Sequence, residues 1–326
     1  MRSLFFQAFL TQTLVRLFII WQYPYNFAFD GFQRWAGREH LLIRDWMPAT
    51  QIFIYFCDSL GIGIVGTKIF LSLLGSLAVA STSLITAHLY DRRAGQIFVA
   101  LAFFSPFVTW SCTLYQEGTF LALSMSALAM ALHLPKNKLW LADLVAGSVA
   151  LSRYEGWPFV ILYMIWRKDL KAGLALWGMA TWIGIKLTGV PSFDPSPINY
   201  ADWEGMKTRF SWTEYFSDCL SYFRKGFLYG AMWIWIGALF TIKQAFQKDR
   251  WLTVLLLLLL GSQGAAVLGW IAGLETVILR MLIIPTFLLS IFAAGLSRKW
   301  NFLYLFLIGF VIFGFQQTKR QTKRNS

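Results

Sequence analysis

The stretch VGTKIFLSLLGSLAVASTSLITAHLY, residues 65–90, decides the fold. It is long and almost wholly apolar, and a helix needs roughly 20 such residues to cross a bilayer. Residues 65–90 are therefore expected to span a membrane. Working outward, comparable runs recur from residue 3 to residue 316 with short polar breaks between them. Apolar runs bounded by charge place helices at 3–22, 65–90, 94–113, 117–134, 139–153, 156–166, 172–189, 227–242, 251–273, 277–296 and 301–316. The expected fold class is all-α, a polytopic transmembrane bundle of about 10–11 helices. It forms one domain over 1–326, with two non-cytoplasmic loops carrying interfacial helices. Only 14% of the residues are charged, against roughly 25% in a soluble domain.

The net charge of +13 could point to nucleic acid. However, the cations sit in short clusters between apolar runs, at Arg92-Arg93, Lys136 and Lys138, 167–171, 243–250 and Arg298-Lys299. Cytoplasmic loops collect Lys and Arg, so these clusters place the N-terminus and every one of themselves in the cytoplasm. No nucleic-acid partner is expected. The basic tail, 317–326, conflicts with this topology, because an odd helix count sends it outside.

Residues 4–21 follow Arg2 as a signal peptide would, but no small-residue cleavage site follows and Gln7, Gln12 and Arg16 interrupt the run. The segment reads as a retained first helix. Gln12 and Arg16 share one face, pointing into the bundle or snorkelling to the cytoplasmic side. Segments 139–153 and 156–166 are short for spans and are expected to form a V around a cavity. The leucine run 255–260 reads as lipid-facing surface.

Two external loops differ from the rest. The first, 23–63, contains Asp30, Glu39, Asp45 and Asp58, and its 32–43 stretch reads as an amphipathic interfacial helix with Phe32, Trp35, Leu41 and Leu42. The second, 190–226, mixes prolines and aromatics with Arg224 and Lys225. Phosphate-loop, dinucleotide and serine-hydrolase motifs are missing. Cys57, Cys112 and Cys219 and the histidines His40, His88 and His133 show no ligand spacing, so no metal site is expected. A divalent ion shared by Asp30 and Glu117 is conceivable only if they lie close together.

Ionisable residues at the outer helix ends stand out: Asp30, Asp45, Glu117, Arg153, Glu155, Glu275 and Arg280. Charge at membrane depth is costly and defaults to a functional role. Asp30 follows an aromatic stretch that would raise its pKa as a general base needs; alternatively it is an N-cap. Asp45 and Trp46 precede Pro48, which is expected to open a helix. Glu117 suits a helix start by charge. Arg153 and Arg280 need an anion, Glu155, Glu275 or a phosphate; for Arg153 the internal partner is Glu155, and for Arg280 a phosphate is favoured.

Asp30 after the first helix, Trp35-Ala36-Gly37, Trp46-Met47-Pro48 and Leu151-Ser152-Arg153-Tyr154-Glu155-Gly156-Trp157 together resemble the GT-C superfamily of membrane glycosyltransferases. The likeness is to the protein O-mannosyltransferase and aminoarabinose-transferase group, glycosyltransferase family 39-like. It covers about residues 23–165 and, more weakly, Arg280 with Pro285. The family's second loop-one acid has no counterpart, because Gly31 follows Asp30.

The resemblance implies a mannosyltransferase-like hexosyl- or pentosyltransferase in a bacterial inner membrane or ER membrane, acting on the non-cytoplasmic side. The sugar passes with inversion from a polyprenyl-phosphate donor, held among membrane lipid, to a hydroxyl of a protein, lipid or glycan acceptor. Asp30 is then the base; Arg153, Arg280, Arg224 and Lys225 bind the donor phosphate; Glu117, Asp45, Glu155 and Trp46 support the site. Competing readings are a lipid-linked sugar transporter or flippase, and a non-catalytic subunit of a glycosyltransferase complex.

Overall fold

A computed structural model describes residues 1–24, 29–43, 47–103, 114, 116–189, 232–271 and 283–298. In chain order its helices are α1 (Arg2–Gln22), α2 (Phe29–Ala36), α3 (Ala49–Ser59), α4 (Ile64–Leu89), α5 (Arg92–Phe103), α6 (Gln116–His133), α7 (Leu139–Val149), α8 (Gly156–Arg167), α9 (Trp177–Leu187), α10 (Met232–Lys248), α11 (Arg250–Ile271) and α12 (Ile283–Ala293). Short 3-10 turns cover Lys136–Lys138, Leu170–Leu176 and Ala294–Arg298. The described chain is all-α. Two of these helices, α1 and α4, are long and apolar enough to cross a membrane.

Helix α4 is the axis, packing against α1, α3, α5, α6 and α12. Small and hydroxylated residues line its buried sides, among them Ser72, Gly75, Ser76, Ala80, Ser81 and Ser83, and α6 answers with Gly118, Thr119, Ala122, Ser124 and Ala127. Small side chains let two helix backbones approach closely. Ser81 and Ser126 hydrogen bond at 3.0 Å across this contact, while Leu71 and Leu114 share one apolar cluster towards the helix starts, so α4 and α6 run parallel. Where α1, α4 and α5 meet, a Cβ on Gly95 would come within 2.7 Å of the Ser83 carbonyl oxygen. Only glycine fits there without a shift.

Helix α1 turns an apolar face outward and carries two polar residues, Gln12 and Arg16, on its otherwise apolar buried face. Its buried stripe is Leu4, Ala8, Gln12, Arg16 and Ile20, one residue every helical turn, while Phe6, Leu10, Leu14, Phe18 and Trp21 are each more than half exposed. Arg16 Nη1 donates to Gln12 Oε1 at 2.6 Å and Gln12 Nε2 to the Val99 carbonyl at 3.1 Å. Of the two orientations open to this pair, the one into the bundle is seen.

The described basic clusters gather at one end of the bundle, beside the N-terminus. Arg92 reaches Ser3 Oγ at 3.2 Å, His88 pairs with Asp249 at 3.2 Å, and Lys168 Nζ lies 4.3 Å from the centre of the Trp251 ring. Lys136 and Lys138 follow α6, parallel to α4. At the opposite end Lys68 Nζ donates to the carbonyls of Tyr23 at 3.1 Å and Pro24 at 2.9 Å.

Several expectations need correction. The interfacial helix of loop one is α2, which starts at Phe29 and stops at Ala36 instead of covering 32–43, while the helix expected to open at Pro48 is α3, over 49–59. The V of 139–153 and 156–166 is a closed hairpin: buried Asp143 on α7 accepts from Tyr163 at 2.7 Å and from Arg167 at 3.3 Å on α8, because a buried carboxylate needs donors. Residues 172–189 divide into a 3-10 turn and α9. Helix α10 runs on through Lys243 to Lys248 instead of ending at 242. In the leucine run, Leu255, Leu256 and Leu259 are buried and Leu258 is half exposed, since α11 packs against α8, α10 and α12.

Candidate active site

Helix α2 has eight residues, too few to be stable alone in water, so its neighbours hold it. At its start, a Cβ on Gly31 would stand 3.4 Å from the Leu114 side chain. Within it, buried Arg34 donates from Nη2 to Gln116 Oε1 at 2.9 Å. At its end, the Gln51 amide of α3 donates to the carbonyls of Gly37 at 2.9 Å, His40 at 3.1 Å and Arg34 at 3.3 Å. The last carbonyls of a helix have no partner inside it, and Gln51 supplies one from outside. Just beyond, Arg38 Nε meets Asp58 Oδ1 at 3.1 Å.

Asp30 is the second residue of α2, in its first turn and not the N-cap. It stands one turn before Arg34 and adjoins Gly31, whose backbone rests on Leu114. The start of α2 therefore lies against the start of α6, where Glu117 is the second residue.

Glu117 belongs to an ion triad. Arg153 Nη1 donates to Glu117 Oε1 at 2.7 Å, Nη2 to Glu155 Oε1 at 2.6 Å and Nε to Glu155 Oε2 at 3.1 Å. The side chains are 6% exposed for Arg153, 3% for Glu117 and 14% for Glu155. Burial raises the Glu155 carboxyl, but the two-pronged Arg153 contact outweighs it and holds the group below its usual range. Arg153 thus meets Glu155, as one of the sequence readings expects, and also Glu117.

Arg153 and Glu155 ride on the connection between α7 and α8. This connection is wound tightly by backbone bonds from Leu151 to Ser148, Ser152 to Val149, and Gly156 to the Arg153 carbonyl. A side chain at Gly156 would run into the Val149 carbonyl. The same connection meets loop one, because the Ala49 amide donates to the Leu151 carbonyl at 2.8 Å. Leu42, Met47, Ala49 and Leu151 share an apolar cluster, and Thr50 bonds to Thr119 at 3.0 Å. Pro48 is the N-cap of α3, one position before the first helical turn where its place in the sequence puts it.

Asp30 on its helix, Glu117, Arg153 and Glu155 thus come from three separate stretches to one end of the bundle. Asp45, Trp46, Arg224, Lys225, Glu275 and Arg280 lie outside the described residues. Arg34, Gln51 and Gln116 were not legible as site residues. Only Arg34 had a signal, its four-residue spacing from Asp30. Among the described residues no three His, Cys, Asp or Glu side chains group closely enough to hold a metal ion. Neither protein-family models nor curated proteins yield a match to this chain.

Proposed function

We propose that this chain is a multi-pass membrane glycosyltransferase of GT-C type, taking its sugar from a polyprenyl-phosphate donor on the non-cytoplasmic face. The observation that carries the reading is the convergence of α2, the start of α6 and the connection between α7 and α8 at the bundle end away from the basic clusters. Membrane embedding is supported by the exposed apolar face of α1, with Gln12 and Arg16 turned inward, and by the segregation of the described basic clusters to one end.

In this reading Asp30 takes the proton of the acceptor hydroxyl as its oxygen attacks the anomeric carbon. The bond from that carbon to the phosphate oxygen breaks on the opposite side, so configuration inverts and polyprenyl phosphate leaves. Arg280, Arg224 and Lys225 hold the leaving phosphate. Arg153, already committed to Glu117 and Glu155, acts as a clamp that fixes both carboxylates beside the acceptor. Gln51 Oε1 and Trp157 Nε1 are buried without hydrogen-bond partners among the described residues; both flank loop one and suit sugar or acceptor hydroxyls, because buried polar atoms are normally paired.

The test is Asp30→Asn in full-length protein assayed with a polyprenyl-phosphate sugar. Transfer lost with insertion intact supports the base; undiminished transfer sinks it. Arg16, fully buried within α1, gives the transporter reading its one foothold. If Arg16→Met stops function while loop-one substitutions do not, that reading replaces this one.

A further inference from the structure

At the basic end, where α8 passes through the 3-10 turn and abuts α11, Lys168 and Arg250 converge on one indole. Lys168 Nζ lies 4.3 Å and the Arg250 guanidinium 5.8 Å from the centre of the Trp251 ring; Arg250 also covers Phe246 at 5.4 Å. Lys171 is exposed close by in sequence. Among the described residues no carboxylate forms a salt bridge with Lys168, Lys171 or Arg250, since Asp169 turns instead to Arg167 at 3.9 Å and to the Lys171 amide at 3.0 Å. The nearest acids, Asp169 and Asp249, turn to Arg167 and to His88, so the two like charges sharing one ring are open to an outside anion.

Two further features define that anion. Lys168 holds φ 51° as the C-cap of α8, a left-handed conformation that favours glycine, so a lysine stands where backbone alone would prefer none. Beside it Leu170 is 100% exposed, and Leu174, Leu176 and Trp251 are each at least 40% exposed. Cations, an indole and an uncovered leucine ledge at a helix end form the pattern of a bilayer interface, with the ledge in the acyl boundary and the cations at headgroup level.

We infer that Lys168, Arg250 and Trp251 bind the phosphate of an anionic phospholipid in the leaflet at the basic end. This rests on the membrane reading above but not on the glycosyltransferase assignment. The full chain is reconstituted in phosphatidylcholine vesicles with about one third phosphatidylglycerol, either lipid being brominated near the glycerol. Tryptophan quenching is then compared with that of Trp251→Phe.

The Trp251 component should be quenched at a several-fold lower fraction of brominated phosphatidylglycerol than of brominated phosphatidylcholine. Lys168→Gln and Arg250→Gln should each shrink that preference about fivefold, while Lys136→Gln with Lys138→Gln leaves it intact. Equal quenching by both lipids, or equal loss from the Lys136 and Lys138 changes, overturns the site. Displacement by millimolar inorganic phosphate marks a soluble-anion site, and capture of an acidic soluble protein in place of lipid marks a protein dock; each overturns the lipid. If neither brominated lipid quenches any tryptophan, the membrane reading itself has failed.

Discussion

The two ends of the bundle handle charge in opposite ways. At the acidic end, one guanidinium is buried between two carboxylates, and its position is dictated by a tight connection and by contacts from loop one. At the basic end, Lys168 and Arg250 lie in the open over aromatic rings. A buried ion that loses its partner costs several kcal/mol, whereas an exposed one is screened and worth little. The difference teaches that the acidic end is built to hold a geometry, while the cations of the basic end are left accessible.

The largest way to break the contrast is chemical. Asp30→Asn should lower sugar transfer by about 10²–10⁴-fold, measured with a lipid-phosphate donor and checked by membrane insertion and thermal unfolding. No basic-end substitution should approach that loss.

Next in size, Arg153→Met leaves Glu117 and Glu155 buried without their cation and should cost about 3–5 kcal/mol, read from unfolding in detergent. Adding Glu117→Gln and Glu155→Gln should recover most of it. If the single change is neutral, the triad is not a structural clamp. Gly156→Ala should cost about 1–3 kcal/mol by forcing the connection off the Val149 carbonyl, and transfer should fall with it because Arg153 and Glu155 move together.

A pH series sharpens the same point. The Glu155 carboxyl is held down by Arg153 despite its burial, so its contribution is complete above the ordinary glutamate range and is lost as pH falls through the lowered value. Glu155→Gln should flatten the acid limb of the stability profile; an unchanged limb would remove Glu155 from the account. Smallest of all, Lys136→Gln in the exposed turn should change stability by no more than about 0.5 kcal/mol.

Much of the helix layout was legible because long apolar runs bounded by charge are displayed directly in a sequence. Residues 65–90 became α4 within one residue, and 117–134 and 156–166 became α6 and α8 as closely. Loop one was read less well. Helix α2 ends where Gln51 takes its carbonyls, and that partner lies fifteen residues after Ala36 with nothing local to announce it. The leucine run misled for a related reason: a uniform stretch has no polar face to show which side packs.

By itself the sequence determined that the chain is helical, apolar and basic in clusters, since these follow from composition and from the period of the chain. It also marked Asp30, Glu117, Arg153 and Glu155, because charge beside apolar runs is visible without coordinates. Only the tertiary structure decided which of these meet. Arg153 reaches Glu117, thirty-six residues earlier in the chain, because the winding of the connection before Gly156 brings the two within hydrogen-bond reach. The basic end turned on the same physics: Lys168 and Arg250, far apart in the chain, share Trp251 because α8 and α11 pack side by side.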